Sequence, residues 1–246
     1  MRSVLAILAL LVLAPPAVAA PNVEIRRTSH GIPHIKAKTF YGAAYGYGYA
    51  FAQDNLCEIA ETYVTVNGER SRYFGPDGSY ESRGNGATFN NLDSDFFFQR
   101  IKDDRVVEGL LEQPPPSGPL PEIREGARGY AAGYNAYLSE VVVGGIPDAR
   151  CRGKAWVRPI TELDAFRRFY QLALLASSGV AIDGIAQAQP PTPAAGGGMP
   201  PLPPLPTPGD LGRLQDRLPL GDLGSNAVAL GKRATKDGKG LATGSA

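Results

Sequence analysis

Ser225 is the residue whose surroundings best suit nucleophilic chemistry. It follows Gly224 and precedes Asn226, and the apolar run Ala227–Leu230 comes directly afterwards. A serine hydroxyl becomes a nucleophile when a neighbouring base takes its proton. A mobile spacer followed by Gly-Ser-Asn and a buried strand is the arrangement that a self-cleaving precursor needs. Taken alone, the same residues also fit the ordinary start of a strand.

Metal chemistry has weaker support in the sequence. His30 and His34 are four residues apart, so both side chains would lie on one face of a strand, as in a metal hydrolase. No cysteine or carboxylate completes a ligand set beside them. Residues 93–95 read Asp-Ser-Asp and could touch calcium, but the rest of a calcium loop is missing, which favours a solvated turn. We therefore predict no metal site.

The first twenty residues have the composition of a secretory signal peptide. A short basic start precedes the apolar run Val4–Ala14, and small residues occupy positions 17–20. An uncleaved anchor is the alternative, although the run is shorter than the roughly 20 residues of a membrane helix. The sequence predicts a periplasmic or secreted protein with no membrane-spanning part. A net charge of +1 without basic blocks argues against nucleic acid as a partner.

The two cysteines, Cys57 and Cys151, both lie in the exported part of the chain. An even number in an oxidising compartment favours one disulfide between them. Two separate buried thiols are the alternative.

Three groups of secondary-structure elements are expected to position this chemistry. Alternating residues predict short strands over 23–26 and 32–37, with Pro33 near the start of the second. Apolar spacings of three and four predict helices from Phe40 to Tyr63 and from Ile123 to Leu138. A third helix is predicted from Thr161 to about Ala176, because residues 161–164 have the form of a capping box.

Three glycines lie inside the first helical stretch, at positions 42, 46 and 48. A GxG pair can belong to a phosphate loop, but no strong strand leads into it and the rest of that fingerprint is missing. Close packing of the helix against a neighbouring backbone is the better interpretation.

The composition changes abruptly near residue 190. Residues 190–209 are dominated by Pro, Gly and Ala, which favours an extended tether. Four parts are therefore predicted: a signal peptide over 1–20, a helical block with N-terminal strands over 21–189, a spacer over 190–224, and a new segment over 225–246.

In this order, the motifs resemble the penicillin acylase family of N-terminal-nucleophile hydrolases, and within it the acyl-homoserine-lactone and aculeacin A acylases. The resemblance covers nearly all of the mature chain. The matching motifs are His30–Ile35, Ala44–Asp54, Asn67–Arg70, Phe74–Gly75, Asn91–Phe97, Trp156–Thr161 and Gly224–Asn226.

The resemblance implies an α+β fold: part of a four-layer αββα sandwich, with a helix-rich α-segment and only the first strands of the sheet. It also implies that the Ser225 hydroxyl attacks the carbonyl of Gly224 and that water then splits the resulting ester. The freed α-amine has a pKa near 8 and can serve as the base for the same hydroxyl. Glycine suits the scissile position because it tolerates strained dihedral angles.

The resemblance further implies a small-molecule N-acyl substrate with an apolar acyl group: an acyl-homoserine lactone, a lipopeptide or a β-lactam. The helix after the Trp156 motif would line the acyl pocket, with Phe169, Tyr170 and Leu174 as candidates. Ordinary core positions are the alternative for each of them. After processing, the α-segment would pair with its own β-segment as a heterodimer. No cofactor is implied beyond calcium, for which no site is assigned.

The last residues depart from the family pattern. Residues 242–246 do not continue the stretch that the family places after the nucleophile strand, and the later oxyanion, Asn and Arg positions have no counterpart. The expectation is a fragment truncated after its nucleophile, and inactive alone because oxyanion donors contribute roughly a hundredfold or more to the rate. An exported binding module with a Pro-rich docking segment is the alternative function.

Overall fold

The computed structural model describes residues 22–189, 226–230 and 241–245. Within them the chain is α+β and rich in helix, with strands only in two-stranded antiparallel sheets, which confirms the predicted class. The signal segment, the spacer, Gly224 and Ser225 lie outside the described residues, so the predictions made for them stay predictions.

Helices and strands alternate in short groups along the chain. The strands are β1 (Glu24–Arg27), β2 (Pro33–Lys36), β3 (Ser79–Glu81), β4 (Thr88–Asn90), β5 (Asn226–Leu230) and β6 (Leu241–Ser245). The helices are α1 (Phe40–Val66), α2 (Arg70–Phe74), α3 (Asn91–Asp103), α4 (Val106–Glu112), α5 (Pro121–Gly144), α6 (Glu162–Leu174) and α7 (Ile182–Ala186). Each strand pairs with its neighbour in sequence: β1 with β2, β3 with β4, and β5 with β6.

The long helices α1 and α5 form the centre of the fold, and glycines allow their backbones to touch. A Cβ placed on Gly48 would overlap the carbonyl oxygen of Tyr130. A Cβ on Gly133 would likewise overlap the carbonyl oxygen of Tyr45. The predicted close packing around the α1 glycines is thus confirmed. It extends to the β1–β2 hairpin, where a Cβ on Gly46 would lie 2.6 Å from a methyl group of Ile35.

The main core lies between α1, α3, α5, β4, α7 and the irregular segment that leads to α6. Its buried members include Leu56, Tyr63, Tyr134 and Leu138. A disulfide joins Cys57 on α1 to Cys151 in the irregular segment, across 94 positions of the chain, as predicted from the cysteine count. Both half-cystines are buried, so the link runs through the core.

The Asp-Ser-Asp stretch is a correction to the sequence analysis, because it is not a solvated turn. Residues 93–95 lie in the first turns of α3, whose N-cap Asn90 accepts hydrogen bonds from the next backbone amides. Ser94 is fully buried and its Oγ lies 2.8 Å from the Tyr80 hydroxyl. The Asp95 carboxylate accepts the backbone amides of Arg70 and Ser71. These partners are fixed by the tertiary fold, which local sequence does not reveal.

Helix α6 begins as the sequence predicts. The Thr161 hydroxyl accepts the Asp164 amide, and the Asp164 carboxylate accepts the Thr161 amide, so the reciprocal capping box forms with aspartate in the second position. The helix ends at Leu174, and a short 3₁₀ turn over Ser178–Val180 follows.

Among the described residues, every helix is too short or too polar to cross a membrane.

Candidate functional site

A large apolar cavity opens on the surface where α1, α5 and α6 meet. Its volume is about 600 Å³, within the roughly 300–1,000 Å³ range of small-molecule sites. The wall on α1 is formed by Phe40, Ala43, Ala44, Tyr47, Phe51 and Tyr63. The other walls are formed by Glu122, Ile123, Gly126, Ala127 and Tyr130 on α5 and by Arg168, Phe169 and Leu172 on α6.

The rim of the cavity exposes large apolar side chains that a closed core would bury. Phe40 is 61% exposed, Tyr47 52%, Ile123 49%, Phe169 46% and Leu172 44%. These side chains come from three different helices but line the same cavity, so they form one patch and are not scattered singly. A contiguous patch of this kind marks a binding surface.

Aromatic rings in the cavity wall pack against one another. Tyr47 stacks on Phe51, with ring centroids 5.5 Å apart, and also contacts Tyr130 at 5.8 Å. Phe169 packs edge-on against the buried ring of Phe166 on the same helix. Offset and edge-on arrangements of this kind are the favoured geometries for aromatic pairs, so these contacts stabilise the wall.

Polar groups in the lining are few, and three of them also line a second cavity. Arg168, Tyr63 and Tyr130 line both the large cavity and a smaller cavity of about 110 Å³ that shares this wall. Arg168 Nη1 donates to Gln171 Oε1 at 2.6 Å, and none of the ion pairs among the described residues includes this arginine. The guanidinium thus retains free donors beside an apolar wall.

Burial shifts the ionisation of these groups without changing their state at neutral pH. It raises the pKa of Tyr130 to about 12 and also raises the pKa of Tyr63. Burial lowers the pKa of Arg168, which still remains a cation because guanidinium is such a weak acid. Most of the described lining is apolar or aromatic, so the cavity is suited to binding an apolar group.

The three predicted acyl-pocket residues lie on α6 but point to different surroundings. Phe169 lines the open cavity. Tyr170 packs against the small buried cluster that contains Val107 and Phe166. Leu174 packs against the main core. The structure thus brings only Phe169 to the cavity, since residues 169, 170 and 174 do not share one helix face.

The histidine pair that was considered for a metal hydrolase lies at the surface. His30 and His34 are both exposed on the β1–β2 hairpin. No group of three or more His, Cys, Asp or Glu side chains in the described ranges is arranged to hold a metal ion. β5 begins at Asn226, directly after Ser225, so the predicted strand after the serine is confirmed, while the serine itself is not described.

Of the residues in the cavity wall, only Phe169 was predicted from the sequence. Tyr47, Phe51, Ile123 and Tyr130 fall in helical periodicities that predicted helices but no pocket. A signal was available: aromatic and apolar residues cover more of the α1 circumference than one buried stripe needs. A second apolar face on a long helix indicates a second partner or a ligand.

Comparison with known proteins identifies the family. Residues 22–245 match the family described as Penicillin amidase. The chain belongs to the penicillin amidase family. The match includes both the helical block and the junction at Ser225, and it confirms the resemblance stated from the motifs. The described residues of this family member form a helix-rich α+β fold.

Two penicillin amidase relatives are similar over most of the chain. Aculeacin-A acylase from Actinoplanes utahensis is 42% identical over 219 residues, which are 88% of this chain and 26% of that protein. Acyl-homoserine lactone acylase PvdQ from Pseudomonas fluorescens is 39% identical over 225 residues, 89% of this chain and 26% of that protein. The chain thus spans about a quarter of the length of these relatives.

A solved structure is also similar. Penicillin G acylase from Alcaligenes faecalis aligns with a TM-score of 0.43 and 23% identity, covering 74% of this chain and 97% of that one.

Proposed function

We propose that this chain provides the α-segment and the nucleophile junction of an exported acylase that hydrolyses the amide bond of N-acyl compounds. The observation that carries the proposal is the family match over residues 22–245, which runs through Gly224 and Ser225. The two relatives described above are both acylases by name. The disulfide between Cys57 and Cys151 supports export to the periplasm or beyond.

The catalytic group is Ser225 after cleavage of the bond that precedes it. Its hydroxyl oxygen adds to the Gly224 carbonyl, the C–N bond breaks, and the acyl group moves to oxygen. Water then hydrolyses the ester and leaves a free α-amine on Ser225. With a pKa near 8, a useful part of this amine is neutral at physiological pH and takes the hydroxyl proton, directly or through one water. The α- and β-segments then remain together as a heterodimer.

The substrate is an amide with an apolar acyl chain, such as an acyl-homoserine lactone or an acylated peptide. The cavity between α1, α5 and α6 supplies the binding surface for that chain. Phe169 contacts the chain directly, whereas Tyr170 and Leu174 hold α6 against the two buried clusters. The acyl group acylates Ser225, the amine leaves, and water releases the carboxylic acid.

The test uses the full-length gene product that contains these residues, exported to a bacterial periplasm. Mass spectrometry and N-terminal sequencing should find two chains, the second beginning with Ser225. The purified protein should release amine from an N-dodecanoyl amide. Ser225→Ala should abolish both processing and hydrolysis, while Ser225→Cys should retain processing because a thiol is also nucleophilic.

Ser29→Ala, in the exposed turn between β1 and β2, serves as the matched control and should behave as the wild type. Hydrolysis by an unprocessed single chain, or by Ser225→Ala, would exclude the proposal. If the wild type stays in one piece and binds a partner through its own Pro-rich segment without hydrolysing amides, the chain is a binding module.

A further inference from the structure

Three asparagines hold the two ends of the segment that carries α6. The first is Asn135 on α5, which contacts both polar atoms of the Ile160 backbone. Its Nδ2 donates to Ile160 O at 2.8 Å, and its Oδ1 accepts from Ile160 N at 2.8 Å. One side chain therefore imitates a strand pairing and fixes the backbone just before the helix.

The second is Asn67, the buried C-cap residue of α1. Its Nδ2 donates to Asp164 Oδ1 at 2.8 Å, and its Oδ1 accepts from Arg167 Nη1 at 2.7 Å. The same Nδ2 also donates to Tyr63 O at 2.8 Å. Asn67 thus binds the first turns of α6 with both ends of its amide, while its own position is fixed by α1.

The third is Asn85, buried in the loop between β3 and β4. Its Nδ2 donates to Leu175 O at 3.0 Å and to Gly179 O at 3.3 Å. These carbonyl oxygens follow the end of α6, where backbone acceptors lack partners within the helix. Asn85 therefore holds the far end of the helix.

Apolar packing holds one side of α6. Ala165 and Phe166 are buried, and Leu163, Tyr170 and Leu174 pack against the two clusters. The open side carries Arg168, Phe169 and Leu172 into the cavity. The directional bonds of the three asparagines add fixed points at both ends of α6, which helps to set its distance from the facing wall on α1.

We infer that Asn67, Asn85 and Asn135 are positioning residues that set the width of the cavity and thereby select the size of the acyl chain. The inference rests on the proposed function for the identity of the substrate. None of the three side chains lines the cavity, so each acts through α6.

The decisive variant is Asn67→Asp in the full-length processed protein. It preserves the size of the side chain and the contact with Arg167, but places a carboxylate oxygen against Asp164 and the Tyr63 carbonyl oxygen. Repulsion should displace the start of α6. With active sites titrated, kcat/KM for an N-dodecanoyl amide should fall about tenfold, mainly through KM, because small displacements of a binding wall have large effects. The value for the N-acetyl amide should stay within about twofold, since a short chain barely contacts the wall.

A swapped pair provides the rescue. Asn67→Asp combined with Asp164→Asn restores a donor and an acceptor between α1 and α6, while the Tyr63 carbonyl oxygen still lacks its donor. The ratio of the two kcat/KM values should therefore recover by about threefold or more from its value in Asn67→Asp. Asn90→Asp is the control for charge, because the Asn90 side chain only accepts hydrogen bonds at the N-cap of α3 and aspartate caps equally well.

Asn85→Ala acts at the other end of α6 and should change the ratio of the two kcat/KM values in the same direction. It provides a second variant if Asn67→Asp does not fold.

Two results would overturn the inference. One is that Asn67→Asp and Asn85→Ala, with active sites titrated, both keep the wild-type ratio of kcat/KM for the N-dodecanoyl amide to kcat/KM for the N-acetyl amide. If only their melting temperatures fall, the asparagines have a purely structural role. The other is a swapped pair that folds but leaves the ratio at its value in Asn67→Asp.

Binding of the neutral dye Nile red to the cavity, measured in parallel, separates this inference from the proposed function. If the wild type hydrolyses neither amide, the proposed function fails. A dye affinity that is weakened in Asn67→Asp and restored in the swapped pair still supports positioning, whereas an unchanged affinity rejects it.

Discussion

Helices α5 and α6 meet the same partner, α1, in opposite ways. The α1–α5 contact is steric: backbone meets backbone at Gly48, Gly129 and Gly133, with no space for even one methyl group. The α6 attachment is polar: Asn67, Asp164 and Arg167 connect the two helices through hydrogen bonds of 2.7–2.8 Å. Arg167 also reaches α4 by an ion pair with Glu108.

This difference indicates that the spacing of α1 and α5 in the cavity wall is fixed, whereas the position of α6 is adjustable. Backbone contact has one solution, since any change in spacing produces overlap or a void. Hydrogen bonds weaken with distance and angle, and a side-chain change on either partner can shift the helix by a fraction of an ångström. We therefore expect mutations at the α1–α5 contact to affect mainly stability, and those around α6 to affect mainly selectivity.

The largest effect is expected from Gly133→Ala. The added Cβ would overlap the Tyr45 carbonyl group and the Tyr49 amide nitrogen, which are backbone atoms and cannot rotate away. The free energy of unfolding, measured by urea denaturation, should fall by about 4 kcal/mol, above the usual range for an overpacked methylene.

Gly109→Ala on α4 is the matched control, because a Cβ there meets nothing within 4 Å. It should be neutral or stabilise the protein by up to about 1 kcal/mol, since alanine favours helix. Equal effects of the two substitutions would show that the α1–α5 contact is not limited by steric overlap.

A smaller effect is expected from removing the disulfide, which joins the steric region to the segment ahead of α6. Replacing both Cys57 and Cys151 by alanine frees a loop that spans 94 positions. The free energy of unfolding should fall by about 3 kcal/mol, chiefly because the unfolded chain gains conformational entropy. The wild type treated with a reductant should match the double variant. If the variant is as stable as the oxidised wild type, the hydrogen bonds around α6 suffice to hold that segment.

The sequence predicted the steric region better than the polar one, for a physical reason. Glycines at short spacing within a helical periodicity, the β1–β2 hairpin and the Thr161 capping box are all local signals. The Asp-Ser-Asp stretch was predicted wrongly as a turn. Its helix depends on Asn90 as N-cap and on the burial of Phe97 and Phe98, which only the folded chain supplies.

The hydrogen bonds that hold α6 are not indicated by any local sequence pattern. Asn67 meets residues 97 and 100 positions away, and Asn85 meets residues 90 and 94 positions away. Asparagine is common in loops, so the residue type alone does not distinguish a buried asparagine that bonds to a distant helix from one in a surface turn. The cavity was missed for a related reason. Periodicity reports that a helix face is apolar, but not whether another helix or a ligand covers it.

The smallest effect concerns the two helix caps that bound the cavity. Thr39 accepts only the Gly42 amide at the start of α1, whereas Thr161 exchanges bonds in both directions with Asp164 at the start of α6. Thr161→Ala should lower the free energy of unfolding by about 1 kcal/mol, and Thr39→Ala by somewhat less. Thr161→Ser, which keeps the hydroxyl, should stay close to the wild type. Hydrogen exchange gives the sharper measurement, because amides in the first turns of α6 should exchange faster in Thr161→Ala while those of α1 do not. If Thr39→Ala has the larger effect, then α6 depends on polar contacts no more than α1 does, and the contrast between the two regions lies only in their glycines.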